Sequence, residues 1–207
     1  MIDLYSSPTP NGRKISIMLE ELGVDFNPIL INLDKKEQFS EKFSKISPAN
    51  KIPVIVDNDN NQTVFESGAI LLYLAKKYDK FLNKDKYWEI IQWVFFQMAY
   101  VGPMLGQAHQ YLFYHPGKSK FAEDKTKGYA QHIYSILDKR LSKQEYFSDT
   151  YSIADISIWP WTARYERHQI NLHDYPNVLR WYKQISTRPA VIKGYNSVGE
   201  FYEIPQP

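Results

Sequence analysis

An α/β unit followed by an all-α unit is what this 207-residue sequence predicts. Two observations carry that expectation. Over residues 1–78, short apolar runs typical of strands alternate with runs whose apolar residues recur at helical spacing. Beyond residue 85 the strand pattern disappears and only helical periodicity is left. The stretch 79–86 between them reads as a linker, so the expected domains are 1–80 and 87–207.

Residues 2–5 form a short apolar run that ends in Ser6-Ser7-Pro8, a strand and then a loop. Asn11 opens a helix whose apolar stripe is Ile15, Met18, Leu19 and Leu22, and Gly23 suits its end. Residues 26–33 read as a second strand, and 38–47 as one short helix with Phe39, Phe43 and Ile46 inward. Residues 53–57 and 63–65 are strands joined by the turn cluster Asp57-Asn58-Asp59-Asn60-Asn61. Ser67 caps a helix that runs to Tyr78. Strand-helix-strand, then a helix, a hairpin and a last helix is thioredoxin-like topology.

In the second half, residues 88–112 predict a long, mostly buried helix that Gly102-Pro103 should bend. His115-Pro116-Gly117 breaks it, and 121–141 is the next helix. Ser152-Ile153-Ala154-Asp155 reads as a capping box ahead of a helix rich in Ile and Trp. Helices over 175–186 and 190–195 complete the bundle.

Composition narrows the function. Basic and acidic residues number 25 and 23 without long single-sign blocks, which points away from nucleic acid and anionic membranes. No stretch approaches the roughly 18 apolar residues of a membrane span, and the start of the chain lacks a secretory pattern. These features, with the absence of cysteine, are compatible with a cytoplasmic protein. Without cysteine there is no protein thiol and no Cys-based metal site, so thiol chemistry requires a thiol brought by a ligand.

Three features of the first half carry chemistry. Thr9-Pro10-Asn11 lies at the start of the first helix, where unpaired N–H groups favour an anion such as a thiolate. From the tripeptide alone, simple helix capping is the plainer reading. Lys51-Ile52-Pro53-Val54 places a proline at a strand start, a position suited to a cis bond that presents the Ile52 backbone to a peptide. An ordinary strand-leading proline is the plainer reading. Glu66-Ser67 joins a helix start that binds a carboxylate to an acid that accepts from an ammonium, which fits a zwitterionic amino-acid end. An N-cap beside an exposed acid is the plainer reading of these two residues alone.

Taken together, Pro53 and the run Phe65-Glu66-Ser67-Gly68-Ala69-Ile70 resemble the glutathione site of the glutathione transferases. Ser152-Ile153-Ala154-Asp155 is similar to the capping motif of their helical domain, so the resemblance covers essentially the whole chain. Thr9-Pro10-Asn11-Gly12, the stretch 46–53, the stretch 66–74 and Gly102-Pro103-Met104-Leu105-Gly106-Gln107 resemble the nu class, bacterial disulfide-bond oxidoreductases.

The resemblance implies glutathione as co-substrate, held by Thr9, Asn11, Gln38, Lys51, Ile52, Glu66 and Ser67, with Pro53 as the cis proline and no metal. It also implies a homodimer in which His132 stands where close relatives bring an Arg from the neighbouring subunit. A neutral His is a weaker carboxylate clamp than Arg. Tyr5, Ser6 and Ser7 are rival partners for the thiol, and on its strand Tyr5 reads as core. Gln107, His109, Tyr100, Phe113, Tyr114 and Trp161 are candidates for the second-substrate pocket. The expected activity is glutathione-dependent disulfide reduction. The alternatives are conjugation of glutathione to electrophiles and a glutathione-binding regulator of low turnover.

Overall fold

The computed structural model describes residues 1–207. The chain forms two compact units, Met1–Leu82 with Ser186–Ile204, and Asn83–Ile185 with Pro205–Pro207.

The first unit is built on a four-stranded sheet in the order β2-β1-β3-β4. Strand β1 (Ile2–Ser6) runs parallel to β2 (Phe26–Leu30) and antiparallel to β3 (Val54–Asp57), and β4 (Gln62–Phe65) closes the hairpin with β3. Ile2, Leu4 and Ser6 of the inner strand alternate inward and are fully buried. The second strand stops three residues before the expected Leu33. Ile31 N–H still donates to Ser6 carbonyl at 2.8 Å, but Asn32 then turns the chain, its Oδ1 accepting from Lys35 N–H at 3.0 Å. The short helix expected over 38–47 is divided into a 3₁₀ turn at Glu37–Phe39 and α2 (Glu41–Ser44). Extended Ser40 separates them, and its side chain caps α2.

Helix α1 (Pro10–Leu22) starts with Thr9 as N-cap and Pro10 in the first turn, where the missing N–H has no partner to lose. The expected stripe Ile15, Met18, Leu19 and Leu22 is buried, but so are Arg13, Lys14, Ser16 and Ile17. A second face of α1 is covered by α9 (Pro189–Tyr195). Ser16 Oγ donates to Gly194 carbonyl at 2.5 Å and Arg13 Nε to Tyr195 carbonyl at 3.0 Å, and the Arg13 guanidinium lies 3.5 Å above the Tyr195 ring. A Cβ on Gly194 would sit 2.6 Å from Ile17 Cα, so only glycine permits this approach. These contacts assign 186–204 to the first unit, a difference from the expected helical domain of 87–207. Helix α3 (Ser67–Tyr78) completes the unit with Ile70, Leu71, Leu74 and Ala75 buried.

The second unit contains α4 (Tyr87–Phe96), α5 (Gly102–Ala108), α6 (Lys120–Leu141), α7 (Ile153–Thr162) and α8 (Pro176–Ser186). The helix expected over 88–112 is present, and it is irregular just ahead of Gly102-Pro103, where a bend was expected. The chain passes from α4 to α5 through a wider π turn at Gln97–Val101, and a second π turn at His109–Tyr114 follows α5. Every residue of α7 is buried. The capping box at its start is as expected: Ser152 N–H donates to Asp155 Oδ2 at 3.0 Å, and the Ser152 side chain caps the first turn. Asp155 also accepts from Phe147 N–H at 3.1 Å and Trp181 Nε1 at 2.9 Å. Burial pushes its pKa up to about 6 against the pull of those donors. No helix is long and apolar enough to cross a membrane.

Candidate functional site

Three segments of the first unit converge. The loop between β1 and α1 is fixed at both ends. Ser7 Oγ donates to Ile31 carbonyl, Thr9 N–H to Ser7 carbonyl at 2.7 Å, and Gly12 N–H to Thr9 Oγ1 at 3.2 Å. A Cβ on Gly12 would lie 2.2 Å from Ser7 carbonyl oxygen and 2.4 Å from Ser6 Oγ. Only glycine lets the first turn of α1 rest so closely on its own loop.

The second segment is the loop into β3. Ser47 Oγ donates to Lys51 carbonyl at 2.8 Å and accepts from Lys51 N–H at 3.0 Å, which closes the loop. Asn50 sits at φ 53°, in the left-handed region, with its Oδ1 accepting from Ser44 Oγ at 2.7 Å. The Ile52–Pro53 bond is cis, as the sequence suggested. The Ile52 N–H and C=O make no hydrogen bond within the chain, so both are available to a peptide laid alongside.

The third segment is the start of α3. Glu66 occupies the N-cap position at φ 70°, and the sequence expectation of Ser67 as cap shifts by one residue. Ser67 begins the helix itself and is buried, whereas Glu66 is exposed. The N–H groups of this turn point outward with partial positive charge. Beneath them lies Lys14 of α1, 1% exposed, whose Nζ donates to Ser67 Oγ at 3.2 Å. Burial lowers the Lys14 pKa well below the usual lysine range, and the Glu66 charge opposes that shift.

These segments enclose a cavity of about 160 Å³ lined by the predicted residues Asn11, Lys51, Ile52, Pro53, Glu66 and Ser67. Ser47, Ala49 and Phe65 also line it and were not singled out. Their signal was position: each lies within the stretches 46–53 or 65–70 that carried the family resemblance. Thr9 faces a neighbouring cleft of about 260 Å³ shared with Ser7, Pro8, Leu33 and Tyr202. Gln38 is half-buried on the 3₁₀ turn and does not line the 160 Å³ cavity, yet its Oε1 is buried without a hydrogen-bond partner. His132 is exposed on α6 of the second unit.

Tyr5 packs its ring 6.4 Å from that of Phe43, and burial followed by the Asp3 charge raises its pKa. That makes it a weaker acid than free tyrosine. In the second unit Gln107 lines a cavity of about 510 Å³ with Met104, Tyr111 and Phe121. His109 is buried in an aromatic stack, where burial and then the charges of Arg167 and Arg164 lower its pKa to about 4.

A helix start, an unpaired peptide edge and a second helix start with an adjacent acid suit a γ-linked peptide with a free amino-acid end. Residues 1–76 match the family model for the glutathione S-transferase N-terminal domain, and residues 100–189 match that for the C-terminal domain. The chain belongs to the glutathione S-transferase family. This glutathione transferase is 43% identical to the disulfide-bond oxidoreductase YfcG of Escherichia coli (strain K12), over 92% of each chain. Its structure resembles a glutathione transferase from Pseudomonas putida with one glutathione disulfide bound per subunit, at TM-score 0.89 and 36% identity, covering 94% of this chain and 90% of that one. A glutathione transferase from Burkholderia graminis with two glutathione molecules per subunit is also similar, at TM-score 0.89 and 38% identity, covering 95% and 88%. No group of acidic or histidine residues in the structure could hold a metal ion.

Proposed function

We propose that this transferase reduces disulfides at the expense of glutathione. The observation that carries the reading is the cavity lined by Asn11, Ile52, cis-Pro53, Glu66 and Ser67 in a chain that has no cysteine. Its likeness to YfcG supports the choice of disulfide over electrophile. Glutathione lies with its γ-glutamyl end against Glu66 and Ser67, its cysteinyl peptide group along Ile52, and its glycyl end toward Lys51 and Gln38. Thr9 and Asn11 hold the sulfur at the start of α1. The helix N-terminus and the side-chain donors favour the thiolate, and each pKa unit of lowering corresponds to about 1.4 kcal/mol.

The thiolate attacks one sulfur of a substrate disulfide RSSR′, forming the mixed disulfide GSSR and releasing R′S⁻, which takes up a proton. A second glutathione thiolate then attacks GSSR, forming GSSG and releasing RS⁻, which is protonated in turn. Two glutathione molecules are oxidised and one disulfide is reduced to two thiols.

Hydroxyethyl disulfide with glutathione tests the reading against chlorodinitrobenzene with glutathione. Turnover of the disulfide and little conjugation is the expected result. Conjugation without disulfide turnover would make the chain a conjugating transferase, and neither activity would favour a glutathione-binding regulator.

The reading includes a symmetric homodimer. Exposed Trp88, Phe95, Phe121 and Phe39 offer apolar surface for a subunit interface, and the family resemblance puts exposed His132 where close relatives bring an Arg from the neighbouring subunit. Sedimentation at micromolar concentration checks it, with a monomer as the contrary result. The reading also sets the protein in the cytoplasm, where the glutathione pool is kept reduced. Fractionation of the source cells checks this.

A further inference from the structure

We propose that Lys14 is a positioning residue for the γ-glutamyl α-carboxylate of glutathione, acting through Ser67 Oγ and through its charge beneath the start of α3. The inference rests on the site reading above and adds a residue that reading does not use.

Lys14 lies in the first turns of α1, a region of the sequence whose apolar stripe gives it no core role. It is nonetheless 1% exposed, and lysines are almost never fully buried without a task or a partner. Its Nζ reaches Ser67 Oγ at 3.2 Å, at the first residue of α3. A serine oxygen that accepts from an ammonium is polarised, and its own O–H becomes a stronger donor, so a chain from Nζ to Oγ to a carboxylate strengthens each link.

The charge adds a second effect. Helix α3 offers its anion only partial charges, and they fade within one turn. An ammonium buried under that turn is screened little by solvent and reinforces the same positive end. Glu66, the acid that faces the ligand's ammonium, carries the opposite charge nearby and interacts with Lys14. Lys14 and Glu66 therefore mirror a zwitterion: an acid outside for the ammonium, a cation underneath for the carboxylate. A bound carboxylate in turn favours the charged form of Lys14, whose pKa burial depresses.

The test compares glutathione with an analogue whose γ-glutamyl α-carboxylate is a carboxamide, by calorimetry, on the full-length protein and on Lys14→Met and Lys14→Gln. Methionine fills the buried volume without charge. Glutamine keeps a donor toward Ser67 without charge and serves if the methionine variant does not fold. The wild type should prefer glutathione by about tenfold or more. In both variants that preference should shrink toward none, through weaker glutathione binding with the carboxamide bound as before. Preference retained in the variants, or parallel weakening of both ligands, overturns the role of Lys14 while leaving the site reading in place. A wild type that does not distinguish the two ligands overturns both.

Discussion

The imidazoles of His109 and His168 lie stacked in the second unit, with ring centroids 4.7 Å apart and planes 16° from parallel. His168 is fully buried with its Nδ1 3.0 Å from Tyr134 Oη, and neither Nε2 has a hydrogen-bond partner. Both pKa values are lowered, that of His168 first by burial and then by His109, Arg167 and Arg164.

A pH dependence of stability follows. The unfolded chain takes up a proton on His109 near the ordinary 6.5, whereas the folded chain resists until about 4. The stabilisation is complete above 6.5 and is lost as pH falls toward 4. For His109 it amounts to about 3 kcal/mol, and His168 acts in the same direction. Thermal melts at pH 7.5 and 5 should show a marked drop in Tm, and His109→Phe, which keeps a ring in the stack, should lose less. An equal drop in that variant would assign the acid sensitivity elsewhere.

Tyr5→Phe should keep most disulfide reductase activity, whereas Thr9→Ala and Asn11→Ala should each lose about tenfold per 1.4 kcal/mol of thiolate stabilisation removed. Thr9 Oγ1 already accepts from Gly12 N–H, and its own hydrogen is what it can offer a sulfur. The ultraviolet absorbance of the bound thiolate against pH should shift to higher pKa in both loop variants. Loss of activity in Tyr5→Phe alone would transfer the role to tyrosine.

Glu66→Ala and Ser67→Ala should weaken glutathione binding by about 1.5–3 kcal/mol each while changing the bound chemistry less. Both residues line the cavity at the start of α3, where the reading above puts the γ-glutamyl end rather than the sulfur. Titration calorimetry paired with rates at saturating glutathione separates the two quantities. Unchanged affinity in both variants would move the γ-glutamyl end to another place.

Gly12→Ala should disturb the loop before α1 more than its size suggests, because the added carbon meets Ser7 carbonyl oxygen, a backbone atom that cannot rotate away. The expected outcome is a Tm lower by several degrees, since 1–3 kcal/mol is the usual scale of overpacking. Activity should fall further than stability, as Asn11 moves with the turn. A variant with wild-type Tm and rate would show that the loop yields freely.

Much of this was legible beforehand for a local reason. Thr9 as a cap, Pro10 after it, Gly23 at the helix end and the Ser152–Asp155 pair all act within one turn of chain, so a short window contains the cause. The cis bond at Pro53 was legible through the family resemblance rather than from the proline alone. What escaped depends on segments remote in sequence. Arg13 and Lys14 lie outside the apolar stripe of α1, and only α9, more than 170 residues on, and α3 make them interior. The early end of β2 is the exception, a local event in which Asn32 turns the chain through its own side chain after Ile31 has made the last bond to Ser6.

The docking of α9 on α1 has a consequence for how the chain is made. A ribosome delivers β1 and α1 well before the Gly194 turn. Until that later segment emerges, Ile17, Ser16 and Arg13 lack their cover, so the first unit cannot be finished before the helices of the second have been made. A fragment cut at the unit border, residues 1–82, would therefore be a nascent-like species that exposes this face. Only supplying residues 186–204, in cis by circular permutation or in trans as a peptide, would restore it.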